Sequence, residues 1–259
     1  MIYLLLPAYN EAENIVPLLH SASAVAREAN ISLQTVVVND GSEDATGERA
    51  QSCPCSAHAA IVLEHETNRG LAAALNTGLD YILEHCGDND LVIMMDADNT
   101  HSPKYIPAIA ERLETGCDIV AASRYAPGGK EWGVSFFRKL LSHGARRMYR
   151  FFFPQVPLRD FSCGYRGFRA STLRKTKAAW GERLFEAPGF SCTGELLLKA
   201  LANTTLDRVT EIPFELHYEC KGGRSKMPAL RTVLGTLSLI WRARKWIGES
   251  ARRPSSHSS

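Results

Sequence analysis

Two carboxylates with one small residue between them, Asp96-Ala97-Asp98, stand directly after the apolar run Val92-Ile93-Met94-Met95. A continuous apolar run bounded by polar residues suits a buried strand of a parallel sheet. Side chains alternate along a strand, so Asp96 and Asp98 can point the same way where it ends. Two hard oxygen donors at the carboxyl edge of a sheet can hold Mg2+ or Mn2+, and the metal can hold a diphosphate. Ligands of open α/β sheets bind at that edge. A lone pair of this spacing is more often two loop-capping aspartates; the strand in front and the motifs that follow favour the metal.

The elements that must position this pair read as alternating strands and helices. Ile2 to Leu6 is a first buried strand, and Pro7-Ala8-Tyr9-Asn10-Glu11 is the loop at its carboxyl end. From Glu13 to Ala29 apolar residues recur at helical spacing. Gln34 to Val38 is a second strand ending in Asn39-Asp40-Gly41-Ser42, and strand, helix, strand with short connections is a parallel βαβ unit. Ile61 to Leu63 is a third strand, and Asn68-Arg69-Gly70 opens a helix through Leu71, Leu75, Leu79 and Leu83. Ser102-Pro103 pairs a cap residue with proline at the first helical position. Asp118 to Ala122 is a further strand ending in Ser123-Arg124, and Asp160 to Arg169 reads as a polar, glycine-containing turn. Thr193 to Ala202 reads as a helix, Leu206 to Pro213 as a strand and Pro228 to Glu249 as a last amphipathic helix; the tail 250–259 is polar enough to be disordered.

Composition narrows the class. The 259 residues suffice for one large α/β domain with appendages. The hydrophobic fraction of 45% and charged fraction of 22% are those of a globular protein. A net charge of +2 is small, and no nucleic-acid partner is expected. Seven scattered cysteines, an odd number, do not form a disulfide framework and read as reduced thiols of a cytoplasmic protein. No basic region precedes the first apolar strand, so no signal peptide is expected, and no stretch reaches the roughly 20 apolar residues of a membrane-spanning helix.

The motifs PAYNEAEN (7–14), VVVNDGSEDAT (36–46), MMDADNTHSP (94–103), ASRYAPGG (122–129), RKLLSHGA (138–145), CGYRGFRA (163–170) and GGRSK (222–226) occur in that order. Together, over about Ile2 to Lys226, they resemble the dolichyl-phosphate mannosyltransferase-like branch of the family 2 glycosyltransferases. The resemblance implies a GT-A-like α/β fold, a mostly parallel central sheet with helices on both faces. It implies an inverting transfer of a mannose- or glucose-type sugar from a nucleotide sugar, GDP- or UDP-linked, to a polyprenyl or dolichyl phosphate.

The resemblance also implies roles. Pro7, Tyr9, Glu11, Val38 and Asp40 match residues that hold the nucleoside, where Glu11 and Asp40 offer acceptors to ribose hydroxyls or base N–H groups. Both also precede helices and can cap them. Asp96, Ala97 and Asp98 match the donor and metal site, with Asp98 a catalytic candidate; Thr100 stands where the family usually has Gln and is the third candidate metal contact. Arg124, Arg138 and Ser142 match residues that hold acceptor or product phosphates, a task for which the arginine fork is suited. Ser225 and Lys226 match a basic loop that closes over the diphosphate. The family arginine six residues before that lysine falls on Cys220, so Lys221 or Arg224 is expected to supply its charge. Asp160 is expected to orient a sugar hydroxyl or the acceptor, with Glu195 a second candidate.

Val134 to Phe153 is both aromatic and basic. It reads either as a core helix with exposed arginines or as a helix in a membrane interface, aromatics in lipid and arginines on anionic headgroups. The expected organisation is a glycosyltransferase domain over 1–226, including this amphipathic helix at 134–153, a C-terminal amphipathic helix at 227–249 and the tail. The expected location is peripheral, on the cytoplasmic face of a membrane. Two rivals remain: the same fold acting on a soluble acceptor, and a nucleotide-sugar-binding protein without turnover. A nicotinamide-binding protein is unlike this sequence, because no G-x-G-x-x-G follows the first strand.

Overall fold

Apolar runs too short for helices become the sheet. Strand β1 is Ile2–Ala8, with every residue but Pro7 buried. Helix α1 (Ile15–Glu28) follows and buries Ile15, Leu18, Leu19, Ala22 and Ala26, one stripe at helical spacing. Then come β2 (Leu33–Asn39), α2 (Thr46–Gln51), β3 (Ile61–Glu64), α3 (Leu71–His85) and β4 (Leu91–Met94). A 3-10 turn at Pro103–Tyr105, capped by the Ser102 hydroxyl, leads into α4 (Ile106–Glu114). The second half holds β5 (Ile119–Ser123), β6 (Lys130–Trp132), α5 (Phe136–Phe152), β7 (Arg166–Arg169), α6 (Ala170–Trp180), α7 (Ser191–Leu201), β8 (Val209–Pro213) and β9 (Glu215–His217). The computed structural model describes residues 1–54, 59–187, 189–220, 235, 237–244 and 246, and of Phe137, Arg138 and Cys220 the backbone alone.

The main sheet has the order β3-β2-β1-β4-β7-β5-β8. All neighbours are parallel except β7, which runs antiparallel to both β4 and β5. A small second sheet pairs β6 with β9 in parallel. Alternation splits the core between two faces. Leu5, Val36, Val38, Val92 and Met94 face α3 and α7, whereas Leu4, Leu6, Val37 and Ile93 face α1 and α4. The expected α/β sheet with helices on both faces is therefore what the chain forms.

Two readings of the sequence are corrected. The stretch Asp160 to Arg169 is not wholly a turn, because Arg166–Arg169 is a central strand. Its Gly167 lets α4 press against the sheet: a Cβ there would meet Ile109 Cγ2 at 2.3 Å. The thiols are not all reduced, since Cys53 is disulfide-bonded; an odd count excludes complete pairing and nothing more. Cys86, Cys117, Cys163 and Cys192 are free.

Helix α3 lies so close to the sheet that a Cβ on Gly78 would fall 2.2 Å from Leu5 Cδ1 and 3.1 Å from Val38 Cγ2. Alanine in place of glycine gains roughly 1 kcal/mol of helix propensity, but overpacking a closed core costs about 1–3 kcal/mol. Leu5 and Val38 are fully buried, so the cost is expected to win. Gly78→Ala should lower the urea midpoint, with the slope of the transition unchanged.

Candidate active site

The carboxyl edge of the sheet gathers the polar motifs. Strand β4 ends at Met94, and Asp96-Ala97-Asp98 follow at once. Asn99 turns the chain with φ 57°, a left-handed conformation that asparagine tolerates, and its side-chain amide donates to the Asn14 carbonyl at 3.2 Å. Asp98 is buried, and its Oδ1 accepts the Thr100 hydroxyl at 2.6 Å and the Thr100 amide at 3.2 Å. The Thr100 hydroxyl proton is thus directed at Asp98.

His101 holds the backbone that carries the other carboxylate. The Asp96 amide donates to His101 Nδ1 at 3.1 Å, so Nδ1 is an acceptor and a ring proton sits on Nε2. That nitrogen lies 3.9 Å from Asp96 Oδ2. The ring is buried, stacked on Tyr165 and edge-on to Phe214. Sequence reading passed over His101; its signal was a histidine in the same motif as the carboxylates. Asp96 itself stays partly open, its side chain 30% exposed.

These residues fit a divalent cation. Asp96 Oδ1 looks across Gly164, where a Cβ would stand 3.4 Å away, so the glycine keeps space beside the carboxylate. Among the described residues no cluster of three or more His, Cys, Asp or Glu could hold a metal. A pair of carboxylates is nevertheless the donor set that Mg2+ accepts when water and substrate phosphates complete its shell.

On the β1–β2 side, Pro7 lies opposite Val38 in register, at the ends of their strands. Buried Asp40 accepts the amides of Arg69 at 2.9 Å and Gly70 at 2.7 Å, just before α3, and meets His65 Nδ1 at 2.7 Å. Asp40 thus ties down the loop that enters α3 and does not cap α2, the helix it precedes, whose N-cap is Ala45. Glu11 Oε2 accepts the Asn14 side-chain amide at 2.6 Å, and the Glu11 carbonyl accepts the amides that start α1. Tyr9 is part-buried beside them.

Arg124 follows β5 and sits across β7 from the carboxylates, about 10 Å away by two strand spacings. Its Nε donates to Asp160 Oδ2 at 2.7 Å, and one terminal nitrogen donates to Asp160 Oδ1 at 2.9 Å and Ser162 Oγ at 2.8 Å. Asp160 is wholly buried and also accepts the Ser162 and Cys163 amides. Burial pushes its carboxyl up and Arg124 pulls it down further, to about 2. Both of its oxygens accept hydrogen bonds from within the chain, from Arg124, Ser162 and Cys163. Glu195 is equally enclosed: it accepts the Glu186 and Ala187 amides and pairs with buried Lys199 at 3.0 Å. Both amides go to Oε2, and Oε1 is the oxygen that faces Lys199.

Ser142 lies on α5, near Tyr125. The Arg138 side chain and residues Lys221, Arg224, Ser225 and Lys226 lie outside the described residues, as does the tail 250–259.

The sequence profile described as Glycosyl transferase family 2 matches residues 3–176. The chain belongs to the family 2 glycosyltransferases. It is 33% identical over 248 residues to the dolichol-phosphate mannosyltransferase of Pyrococcus furiosus, covering 96% of this chain and 65% of that protein. This chain therefore spans just under two thirds of that relative's length. It is 29% identical over 224 residues to the polyprenol monophosphomannose synthase of Mycolicibacterium smegmatis, covering 86% of this chain and 79% of that one. Among solved structures, glucosyl-3-phosphoglycerate synthase from Mycobacterium tuberculosis, in complex with Mn2+, UDP and glucosyl-3-phosphoglycerate, superposes with a TM-score of 0.66. It is 19% identical, with 96% of this chain and 80% of that chain covered, so the likeness concerns the fold. This glycosyltransferase thus has the GT-A architecture expected of it.

Proposed function

We propose that the protein transfers a mannose- or glucose-type hexose from a GDP- or UDP-sugar to a polyprenyl or dolichyl phosphate, inverting the anomeric carbon. The observation that carries this reading is one sheet edge that presents Asp96 and Asp98 on one side of β7 and Arg124 on the other. Through a divalent cation the two carboxylates would offer counter-charge to a donor diphosphate, and Arg124 offers it directly to an acceptor phosphate.

Pro7, Tyr9, Glu11, Val38 and Asp40 line the nucleoside end. Asp96 and Asp98 would hold Mg2+ or Mn2+, with Thr100 and His101 fixing the two carboxylates. Bound there, the cation would offset the charge that develops on the departing diphosphate. The acceptor phosphate is already an anion near neutral pH, so the chain needs to orient it more than to activate it. Arg124 and Ser142, with Arg138 on the same helix, provide that orientation. Lys226, Ser225 and either Lys221 or Arg224 supply charge over the diphosphate. The catalytic unit is residues 1–226, with the 227–249 segment an amphipathic appendage.

The acceptor's home in a bilayer finds support in α5. Phe136, Leu140 and Phe151 are exposed large apolar residues, and Arg147 and Arg150 are exposed beside them. The same helix sends Tyr149 into the core. Leu237 and Trp241 are exposed while Leu239, Ile240 and Ala243 are buried, so this segment too has one apolar side outward. No helix among the described residues is long and apolar enough to cross a membrane. We place the protein peripherally, on the cytoplasmic face.

Juxtamembrane basic residues contribute about 1 kcal/mol each against an anionic surface, an attraction that salt screens. The protein is expected to co-sediment with anionic vesicles at low salt and to release at high salt. Phe136→Ser and Phe151→Ser together should weaken that binding and lower transfer to polyprenyl phosphate in vesicles. Wild-type protein that ignores vesicles and glycosylates a water-soluble acceptor equally fast would replace the lipid phosphate with a soluble acceptor.

A further inference from the structure

Arg124 is expected to hold an acceptor phosphate, yet most of its fork is already engaged. Nε and one terminal nitrogen are committed to Asp160 and Ser162. The remaining nitrogen, Nη1, lies 3.2 Å from Glu131 Oε1. That oxygen also accepts the Tyr125 hydroxyl at 3.4 Å. Glu131 is nearly enclosed, its side chain 8% exposed.

The surroundings of this one oxygen are those of an anion seat. The Arg124 guanidinium stands 5.1 Å from the centre of the Tyr125 ring, and the Arg146 guanidinium stands 4.7 Å from it. Ser142 lies near the same tyrosine. Arg146 lies one helical turn beyond Ser142 on α5, and Ser142 one turn beyond Arg138, so the three share a face. Among the described residues Arg146 has no carboxylate partner. Glu131 thus brings a carboxylate oxygen to Arg124 and Tyr125, and the ring of that tyrosine carries Arg146.

We propose that Glu131 is a resident stand-in for the acceptor's phosphate monoester: it occupies Arg124 Nη1 until the phosphate displaces it, and Arg146 is a further phosphate-binding residue of that seat. The inference rests on the reading of Arg124 as an acceptor residue. Displacement is sterically plausible for a reason of topology. Glu131 sits on the three-residue strand β6, whose sheet partner is β9 and not the main sheet. The carboxylate can therefore leave without disturbing the strands that carry Arg124 and the Asp96–Asp98 turn. Arg146, freed of nothing but a ring face, can turn its donors to the same anion.

The test compares wild type, Glu131→Gln and Arg146→Ala with farnesyl phosphate and with glycerol 3-phosphate, by calorimetry and by transfer kinetics. Glutamine keeps the shape of Glu131 and removes the competing charge. Glu131→Gln should bind the phosphate monoester about tenfold more tightly and lower the acceptor KM, with the donor KM unchanged; a factor of that size is what one charge-assisted hydrogen bond is worth. Arg146→Ala should weaken the same binding by a similar factor. If Glu131→Gln binds the phosphate more weakly or no differently, Glu131 serves to position Arg124 and the proposal is overturned. Tighter binding of glycerol 3-phosphate alone would keep the stand-in and remove the lipid as acceptor, so the two readings fail separately.

Discussion

Asp98→Ala is expected to reduce sugar transfer on the order of a thousandfold, since a cation at the leaving group is worth several kcal/mol of transition-state stabilisation. The fold should survive, because Thr100, whose hydroxyl and amide bond Asp98 Oδ1, lies in the same turn. Asp96→Ala should behave alike, and EDTA should silence the wild type. A readout independent of turnover is Mn2+ binding followed by electron paramagnetic resonance, which should weaken strongly in both variants. Normal turnover by Asp98→Ala, or full activity in EDTA, would remove the metal from this site. Thr100→Val should fall between these extremes, weakening Mn2+ binding by releasing Asp98 rather than by taking away a charge.

Asp160→Ala is expected to be the most destabilising change at the site. It leaves Arg124, whose side chain is only 11% exposed, without its bidentate partner, and breaking a buried pair on one side costs about 3–5 kcal/mol. Asp160→Asn, which keeps the shape, should be milder in stability and still impair acceptor use through Arg124. The pair also sets a pH dependence. The native carboxyl is held at about 2 against an ordinary 3.8, so its contribution is fully present above about pH 4 and is lost as pH falls through 2. Acid unfolding of the wild type should therefore steepen below pH 4, and Asp160→Asn should lack that component. An Asp160→Ala protein with wild-type melting and acceptor kinetics would show that the ion pair does nothing here.

The parallel half of the sheet was legible because its strands are apolar on both faces and its helices are not. Ile2–Ala8, Leu33–Asn39 and Leu91–Met94 follow the expected runs closely. The capped start at Ser102-Pro103 is also as read, with the Ser102 hydroxyl accepting the Lys104 amide. Strand β7 was not legible: Arg-Gly-Phe-Arg has neither alternation nor branched residues, and its place between β4 and β5 is decided by long-range packing. Site residues separate along the same line. The carboxylates of the 96–98 turn and Arg124 carry their position in the strands before them. What Asp160 does was hidden, since a carboxylate's partner 36 residues away in sequence leaves no local trace.

The interposed strand β7 has a consequence for synthesis. Strands β2, β3 and β4 can pair as soon as each emerges, because every one meets a neighbour already made. Strand β5 cannot: among the described residues its partners are β7 and β8, both later in the chain. From about residue 123 until residue 169 has cleared the ribosome, a five-residue apolar strand waits with both edges bare, the state in which nascent chains mispair. The aromatic helix α5 is made in that same interval, so the segment proposed to meet lipid is displayed before the catalytic edge is complete.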